Sequence, residues 1–529
     1  MPRWAVGVLA AAASLGATPS LGATPSPSAV SGRAGAPAPP VAEKVATGSA
    51  RSLGEPAAAQ DSSVTAVAAT SFGAAGAQAE VEVWTKRAGG ASWKRAGSVL
   101  RAGFGSSYDP AAAAAPGGPL LVVAGTAPPG EKCIANGSVA IASVGPGGTL
   151  GTVRLVSDQR GTGSFDDRPT VAVGQHGMVW VAWSQGPDTD ACQDVGDGDR
   201  VEVAVSRDGG RTFGEPVAMP ADGGHSAFGV RLVPLPGDRV AASWTETTGS
   251  GGQAVLVSVL GADGRSPQPA VALTGDGPPL ALPGASFYDF PAGDIAALPG
   301  GKLVVAAPFR VSGRSVIKLA TGVPGRRWQQ TDLSPPAGAD LLLPALGVLT
   351  PGSVRLLCAV HTRLGDRLGY DWTDVTLGGH GPSVSHAGLT RLTAAPYGPG
   401  FFEIGEELAL ASTEGGLLTA VVVAGRDGAA LETAMFSAPP AVNVPPGRAA
   451  TRTTAPGTHP PGTQASSGHS PPGTGTARAA DGRSSGFALT AALLGAAALC
   501  CAAAASALVL RRRRLRAGPP AQRPRSRGR

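Results

Sequence analysis

The sequence predicts an all-β fold built from one repeated unit, on three observations. Helical periodicity is absent between about residues 62 and 438. Short apolar runs recur there in pairs, each pair separated by a Gly- or Pro-containing turn. Residues 167–173 lead to 179–183, and the same arrangement returns as 107–110 before 120–124, 230–234 before 240–244, 294–298 before 303–306, 343–347 before 354–357, and 404–408 before 417–421. The copies lie about 50 to 63 residues apart, in the range of propeller blades with loop insertions. Counting strand pairs yields seven units, the first without a recognisable inner strand. The predicted fold is therefore a six- or seven-bladed β-propeller. The lack of crossover helices excludes a parallel sheet, and a two-sheet sandwich is the alternative.

The clearest connection between strands is Ser206-Arg207-Asp208-Gly209-Gly210-Arg211-Thr212-Phe213, between the alternating run 201–205 and the short run 216–219. Ser206 and Asp208 can hydrogen-bond the backbone of their own turn. Gly209 and Gly210 permit the positive φ angles of a tight hairpin. Phe213 can fold back beneath the turn as an apolar plug. This Ser-x-Asp-x-Gly-x-Thr-aromatic spacing (Ser206, Asp208, Gly210, Thr212, Phe213) resembles the Asp-box, or BNR repeat, of the sialidase-like β-propellers. The resemblance implies a hairpin between the third and fourth strands of a blade, on the periphery and away from any chemistry. Residues 85–93 keep the glycines, hydroxyl and aromatic of the pattern without the acid, and residues 321–328 keep only Gly325 and Trp328. The Ala, Gly and Arg excess, with six lysines, resembles secreted or membrane-anchored proteins of GC-rich actinobacteria.

In chain order, residues 1–23 read as a secretory signal peptide: Arg3 precedes an apolar stretch, and small residues at 15–17 and 21–23 offer cleavage sites. Residues 24–61 are Ala/Pro/Gly/Ser-rich with almost no aromatic or branched side chains, so disorder is expected. The propeller is expected over 62–438 and a Pro/Thr/Gly/Ser-rich stalk over 439–486. A Gly-x-Ser-x-Gly at 482–486 lacks the strand-turn-helix setting that would expose its serine. Residues 487–510 carry no charge and are long enough to cross a bilayer. Arg511, Arg512, Arg513 and Arg514 follow at once, so 511–529 is expected as a basic cytoplasmic tail, with the propeller outside a cell membrane that the chain crosses once.

The formal net charge is +6, and nine arginines lie in the tail, so the remainder is net acidic. A nucleic-acid partner is therefore not expected, and the tail serves topology. Of five cysteines, Cys500 and Cys501 fall in the span. Cys133 and Cys192 are expected to pair across neighbouring repeats, leaving Cys358 as a buried small hydrophobe. No Cys/His cluster suits structural zinc. No cofactor is expected, with one place to look for Ca2+: the acidic loop holding Asp188, Asp190 and Asp194, whose spacing is not that of an EF-hand and whose alternative reading is a solvated loop.

In a propeller the inner strands present their ends to a central funnel, so the repeat starts hold the candidate residues: Asp109, Asp167, Arg168, Arg231, Asp289, Asp294, Glu403, Glu406 and Glu407. The sialidase resemblance implies a tyrosine nucleophile with a glutamate partner, an acid/base aspartate, and three arginines gripping a carboxylate. The positions available for these roles are Tyr370 or Tyr397, Glu403, Asp109, and Arg168, Arg231 and Arg310. The family's Arg-Ile-Pro signature is missing, the nearest tripeptide being Arg168-Pro169-Thr170. The expected function is a cell-surface module that binds a glycan or protein ligand. An exo-sialidase or related glycoside hydrolase is the alternative, and a protein-interaction scaffold is a third.

Overall fold

The structure, a computed structural model, describes residues between 40 and 437. Within that span it leaves out 49–52, 73–78, 191–198, 220–225, 248–251, 264–268, 278–292, 364–366, 379–380, 385–389, 397–407, 426–427 and the single positions 116, 132, 262, 276 and 414. The expected signal peptide, stalk, apolar span and tail lie outside the described residues. Among the described residues no helix is long and apolar enough to cross a membrane.

Seven antiparallel sheets make a seven-bladed β-propeller. The inner strands are Leu53–Gln60, Ser106–Ala114, Ser164–Val173, Ala227–Leu235, Asp294–Ala297, Ala339–Thr350 and Ala409–Thr413, defining blades one to seven. Helical turns among the described residues are two three-residue 3-10 segments, Gln175–Gly177 and Asp188–Asp190. In blade six the third strand, Arg367–Gly378, pairs along its outer edge with two short strands, Gly381–Val384 and Thr390–Pro396.

Two strands arise where the sequence led us to expect disorder. Glu43–Gly48 pairs with the last strand, Gly428–Ser437, and so supplies the outermost strand of blade seven, closing the ring. Leu53–Gln60 is the inner strand of blade one, the strand that seemed to be missing from the repeat. Its composition misled because converging blades leave little room at the axis. There Ala57, Ala58 and Ala59 are 5%, 4% and 2% exposed, so alanine alone completes the packing.

Further from the axis the wedge between sheets widens, and large side chains fill it. Trp180 faces blade four with Val230, Val240, Ala242 and Trp244. Trp183, on the same strand, faces blade two with Leu121, Val123, Val139 and Ile141. Alternation along one strand thus serves two interfaces, and truncating either indole to alanine would cost about 3–5 kcal/mol.

The Ser206–Phe213 turn lies at one rim of blade three. Ser206 Oγ accepts from the Gly210 N–H at 2.9 Å and donates to Asp208 Oδ1 at 2.8 Å. Asp208 Oδ1 accepts the Arg211 and Thr212 N–H groups, each at 2.9 Å, and Thr212 Oγ1 donates to Oδ2 at 2.6 Å. Those bonds, led by the Thr212 hydroxyl, hold the Asp208 carboxyl well below the usual carboxylate range. Gly209 and Gly210 have φ of 77° and 79°. Phe213 packs against the blade-two cluster of Leu121 and Ile141, so the turn pins two blades together.

Candidate functional site at the mouth of the channel

Inner strands all begin at the rim opposite that turn, and there five of them share one distortion. Register slips between Gly54 and Ala57, Tyr108 and Ala111, Asp167 and Thr170, Phe228 and Arg231, and Leu342 and Ala345. Each slip is a β-bulge that re-aims the residue it frees. The first bulged residue has positive φ every time: Glu55 52°, Asp109 49°, Arg168 49°, Gly229 64° and Leu343 48°. Four of the five precede proline, which removes an N–H that the interrupted ladder would leave unpaired. Left-handed backbone at a non-glycine residue costs on the order of 1–3 kcal/mol and gathers at functional sites. Consecutive blades one, two and three thereby place Glu55, Asp109 and Arg168 at equivalent points around the mouth, Glu55 and Arg168 buried and Asp109 the more exposed.

A buried polar layer supports them. Glu55 Oε2 accepts the Thr70 hydroxyl at 2.6 Å and the Asp109 N–H of the next blade at 3.1 Å. The Arg168 guanidinium lies 3.5 Å from Asp167 Oδ2, both side chains nearly buried. Tyr108 stands among these groups. Burial above all, then the charges of Asp167, Asp109, Asp166 and Glu55, push its phenol well above the usual range. It is a neutral donor, reaching the Asp166 carbonyl at 3.4 Å. Glycine makes room for it: a Cβ on Gly125 would fall 2.3 Å from the Tyr108 ring, and one on Gly137 2.5 Å from its hydroxyl.

Asp166 anchors the layer. Its carboxylate accepts Ser157 Oγ at 2.5 Å, Gln185 Nε2 at 2.9 Å and Gln159 Nε2 at 3.1 Å. Burial pushes its pKa up to about 6, against the opposing pull of those hydrogen bonds. Loops from neighbouring blades close over this layer. Asn136, in the loop after 120–127, donates its N–H to Asp188 Oδ1 at 2.8 Å, and its side-chain oxygen accepts the Gly161 N–H at 2.8 Å.

Below the mouth runs a channel of about 610 Å³, lined by all seven inner strands. Alanine and proline dominate its wall, with Arg231 and Asp294 as its charged members. Asp294 stitches blade five to blade six by accepting the Leu346 N–H at 2.7 Å, and Arg231 donates to the Val230 carbonyl at 3.0 Å.

The sequence-derived candidates therefore separate. Asp109 and Arg168 stand at the mouth and Arg231 lines the channel. Arg310 is exposed on the second strand of blade five, Leu303–Val311. Tyr370 does not reach the funnel. It lies on the third strand of blade six, 2% exposed, its phenol donating to the Val422 carbonyl of blade seven at 2.7 Å. Burial raises its pKa, the opposite of what a nucleophile needs. Tyr397, Glu403, Asp194 and Cys192 lie outside the described residues, as do Asp289, Glu406 and Glu407. Asp188 and Asp190 form a short 3-10 turn, and no group of three or more His, Cys, Asp or Glu suited to a metal ion occurs among the described residues. Cys133 is disulfide-bonded. Cys358 is free and buried, with its thiol directed at the Asp371 carbonyl at 3.7 Å. Sequence reasoning passed over Glu55, Tyr108 and Asp166. The recurring X-Pro at inner-strand starts was the signal for Glu55.

No family model matches the sequence, and no curated protein matches it. Solved structures align along most of the propeller. A polysaccharide lyase, an ulvan lyase bound to -[GlcA(1-4)Rha3S]-, is 11% identical with a TM-score of 0.47, covering 75% of this chain and 96% of its own. A Hadza microbial sialidase is 11% identical with a TM-score of 0.41, covering 68% and 74%. An α-L-arabinanase of Penicillium chrysogenum complexed with arabinobiose is 11% identical with a TM-score of 0.41, covering 76% and 99%. Such identities transfer neither residues nor activity.

Proposed function

We propose that this chain is a membrane-tethered, extracytoplasmic propeller that binds a glycan at the mouth of its channel, without strong hydrolytic activity. The observation that carries the reading is the repeated strained bulge that puts Glu55, Asp109 and Arg168 at one mouth over a buried Asp166–Asp167–Tyr108 layer. Carboxylates and amides held in fixed positions accept hydrogen bonds from sugar hydroxyls without reorganising, which favours a polyhydroxylated ligand. Arg168 is held beside Asp167, and the mouth carries more acids than bases. A carboxylated sugar would meet repulsion there, whereas a neutral glycan would not. The tether is the sequence expectation of an apolar span at 487–510. Ser437, the last described residue, ends its strand at the rim opposite the mouth.

Detergent-solubilised full-length protein, titrated against panels of neutral and sialylated glycans and against a fluorogenic sialoside, tests this reading. Retention of neutral glycans with little sialoside turnover is expected. Preferential capture of sialylated ligands with robust turnover would reverse the assignment in favour of a sialidase.

A further inference from the structure

The two rims of the ring differ in charge. Glu55, Asp109, Asp166, Asp167, Asp188 and Asp190 gather at the mouth, with Arg168 beside Asp167 offsetting one of them. On the opposite rim, the turns between third and fourth strands carry Arg87 in blade one, Arg211 in blade three, and Arg326 and Arg327 in blade five, all exposed. Arg211, Arg326 and Arg327 make no salt bridge among the described residues. Arg87 donates its Nε to the Gly147 carbonyl at 3.0 Å, a contact that steadies the side chain without neutralising it. Asp208 as described, and Asp61, bonded to the Ser63 and Val64 N–H groups at 2.7 Å each, face their own turns but still count against the charge of this rim, where Lys94, Arg207, Arg239 and Lys302 add to the arginines. Glu215, Asp238 and Asp263 remain there, with Asp238 facing His176 at 3.3 Å. The apolar side chains of Val323 and Met435 are 41% and 39% exposed at the same rim. The last described strand also ends here, because Ser437 pairs with Gly416 just past the turn at that end of blade seven.

We infer that this arginine-bearing rim is a docking face for an anionic lipid surface, against which the propeller rests with its mouth turned outward. The inference rests on the tethered reading above. By sequence, a Pro/Thr/Gly/Ser-rich stretch of about 50 residues joins Ser437 to the apolar span, and a coil of that length has a root-mean-square reach of roughly 40 Å. Tethering at that distance gives the rim a high effective concentration at the bilayer, so contacts too weak to hold a free protein suffice. Each arginine near an anionic surface contributes about a fivefold bias. The carboxylates of the mouth are repelled by the same surface, which sets the orientation as well as the attachment.

The test uses the full-length chain in nanodiscs of phosphatidylcholine with or without phosphatidylglycerol, carrying a donor dye at Val323→Cys on the arginine rim or at Ser312→Cys on the mouth side of the same blade. Energy transfer to acceptor lipids should be greater from position 323 on anionic discs. That difference should shrink on neutral discs, in high salt, and in an Arg211→Gln, Arg326→Gln, Arg327→Gln variant, whose ratio of docked to undocked propeller should fall about fivefold for each charge removed. Equal transfer from both positions on anionic discs, or a difference indifferent to lipid charge, would overturn the docking while leaving the tether intact. Failure of the chain to insert into discs at all would overturn the tether and the docking with it.

Discussion

Asp166 is a carboxylic acid that burial moves well away from its ordinary behaviour. Its carboxyl is raised from 3.8 to about 6 by burial. Between roughly pH 4 and pH 6 the unfolded chain gives up a proton that the folded chain keeps, so stability falls as pH rises through that window and is level above it. A shift of this size corresponds to about 3 kcal/mol. Asp166→Asn should remove the slope, so denaturant unfolding of variant and wild type should shift in the variant's favour by that amount as pH rises from about 4 to 7. Parallel pH profiles would mean that the carboxyl is not desolvated. On the other rim, Ser206→Ala leaves the Gly210 N–H without its acceptor and should cost about 1–3 kcal/mol in the same assay. Asp109 and Arg168 were legible in the sequence as polar residues at repeat starts. Tyr108 and Asp166 were not, because their importance comes from depth and from partners on three separate segments, which spacing along one chain does not encode.

Elements were legible where side chains alternate and obscure where they are uniformly small. Val201 to Val205 announces a strand, whereas Ala57 to Ala59 reads as low complexity until seven strands converge on an axis. Glu43–Gly48 escaped notice for a different reason: its partner strand is almost 400 residues away, the Thr433 hydroxyl meeting the Glu43 carbonyl across 390 positions of sequence. Asn136, after the strand 120–127, and Asp188, after Val179–Pro187, stand on adjacent blades and are joined by a hydrogen bond. That proximity favours Cys192 as the partner of Cys133. Peptide mapping without reduction should yield a cross-linked pair containing both, and the Cys133→Ser, Cys192→Ser double variant should lose about 2–5 kcal/mol of stability. A cross-link from Cys133 to Cys500 or Cys501 would refute the pairing.

The repeat determined the whole molecule more firmly than any single motif did. Seven strand pairs could be counted from the sequence, and seven blades form, with the missing inner strand recovered from the alanine-rich segment. Of the candidates the sialidase resemblance supplied, Tyr370 packs between blades six and seven, Arg168 stands at the mouth, Arg231 lines the channel and Arg310 is exposed on blade five, while Tyr397 and Glu403 lie outside the described residues. Topology has its own check. Protease added outside intact cells should release a propeller-sized fragment and spare an epitope on the arginine tail, whereas loss of that epitope would invert the assigned orientation.

The central claim is that the mouth binds, and a comparison of dissociation constants tests it most directly. For the neutral glycan best retained by the full-length protein, Asp109→Asn keeps a residue that tolerates left-handed backbone and removes a charged acceptor worth about 1.5–3 kcal/mol. Affinity should fall by roughly ten- to a hundredfold, while Ser206→Ala on the far rim lowers stability and leaves affinity unchanged. Equal affinity in Asp109→Asn and wild type, or a loss confined to Ser206→Ala, would contradict the account.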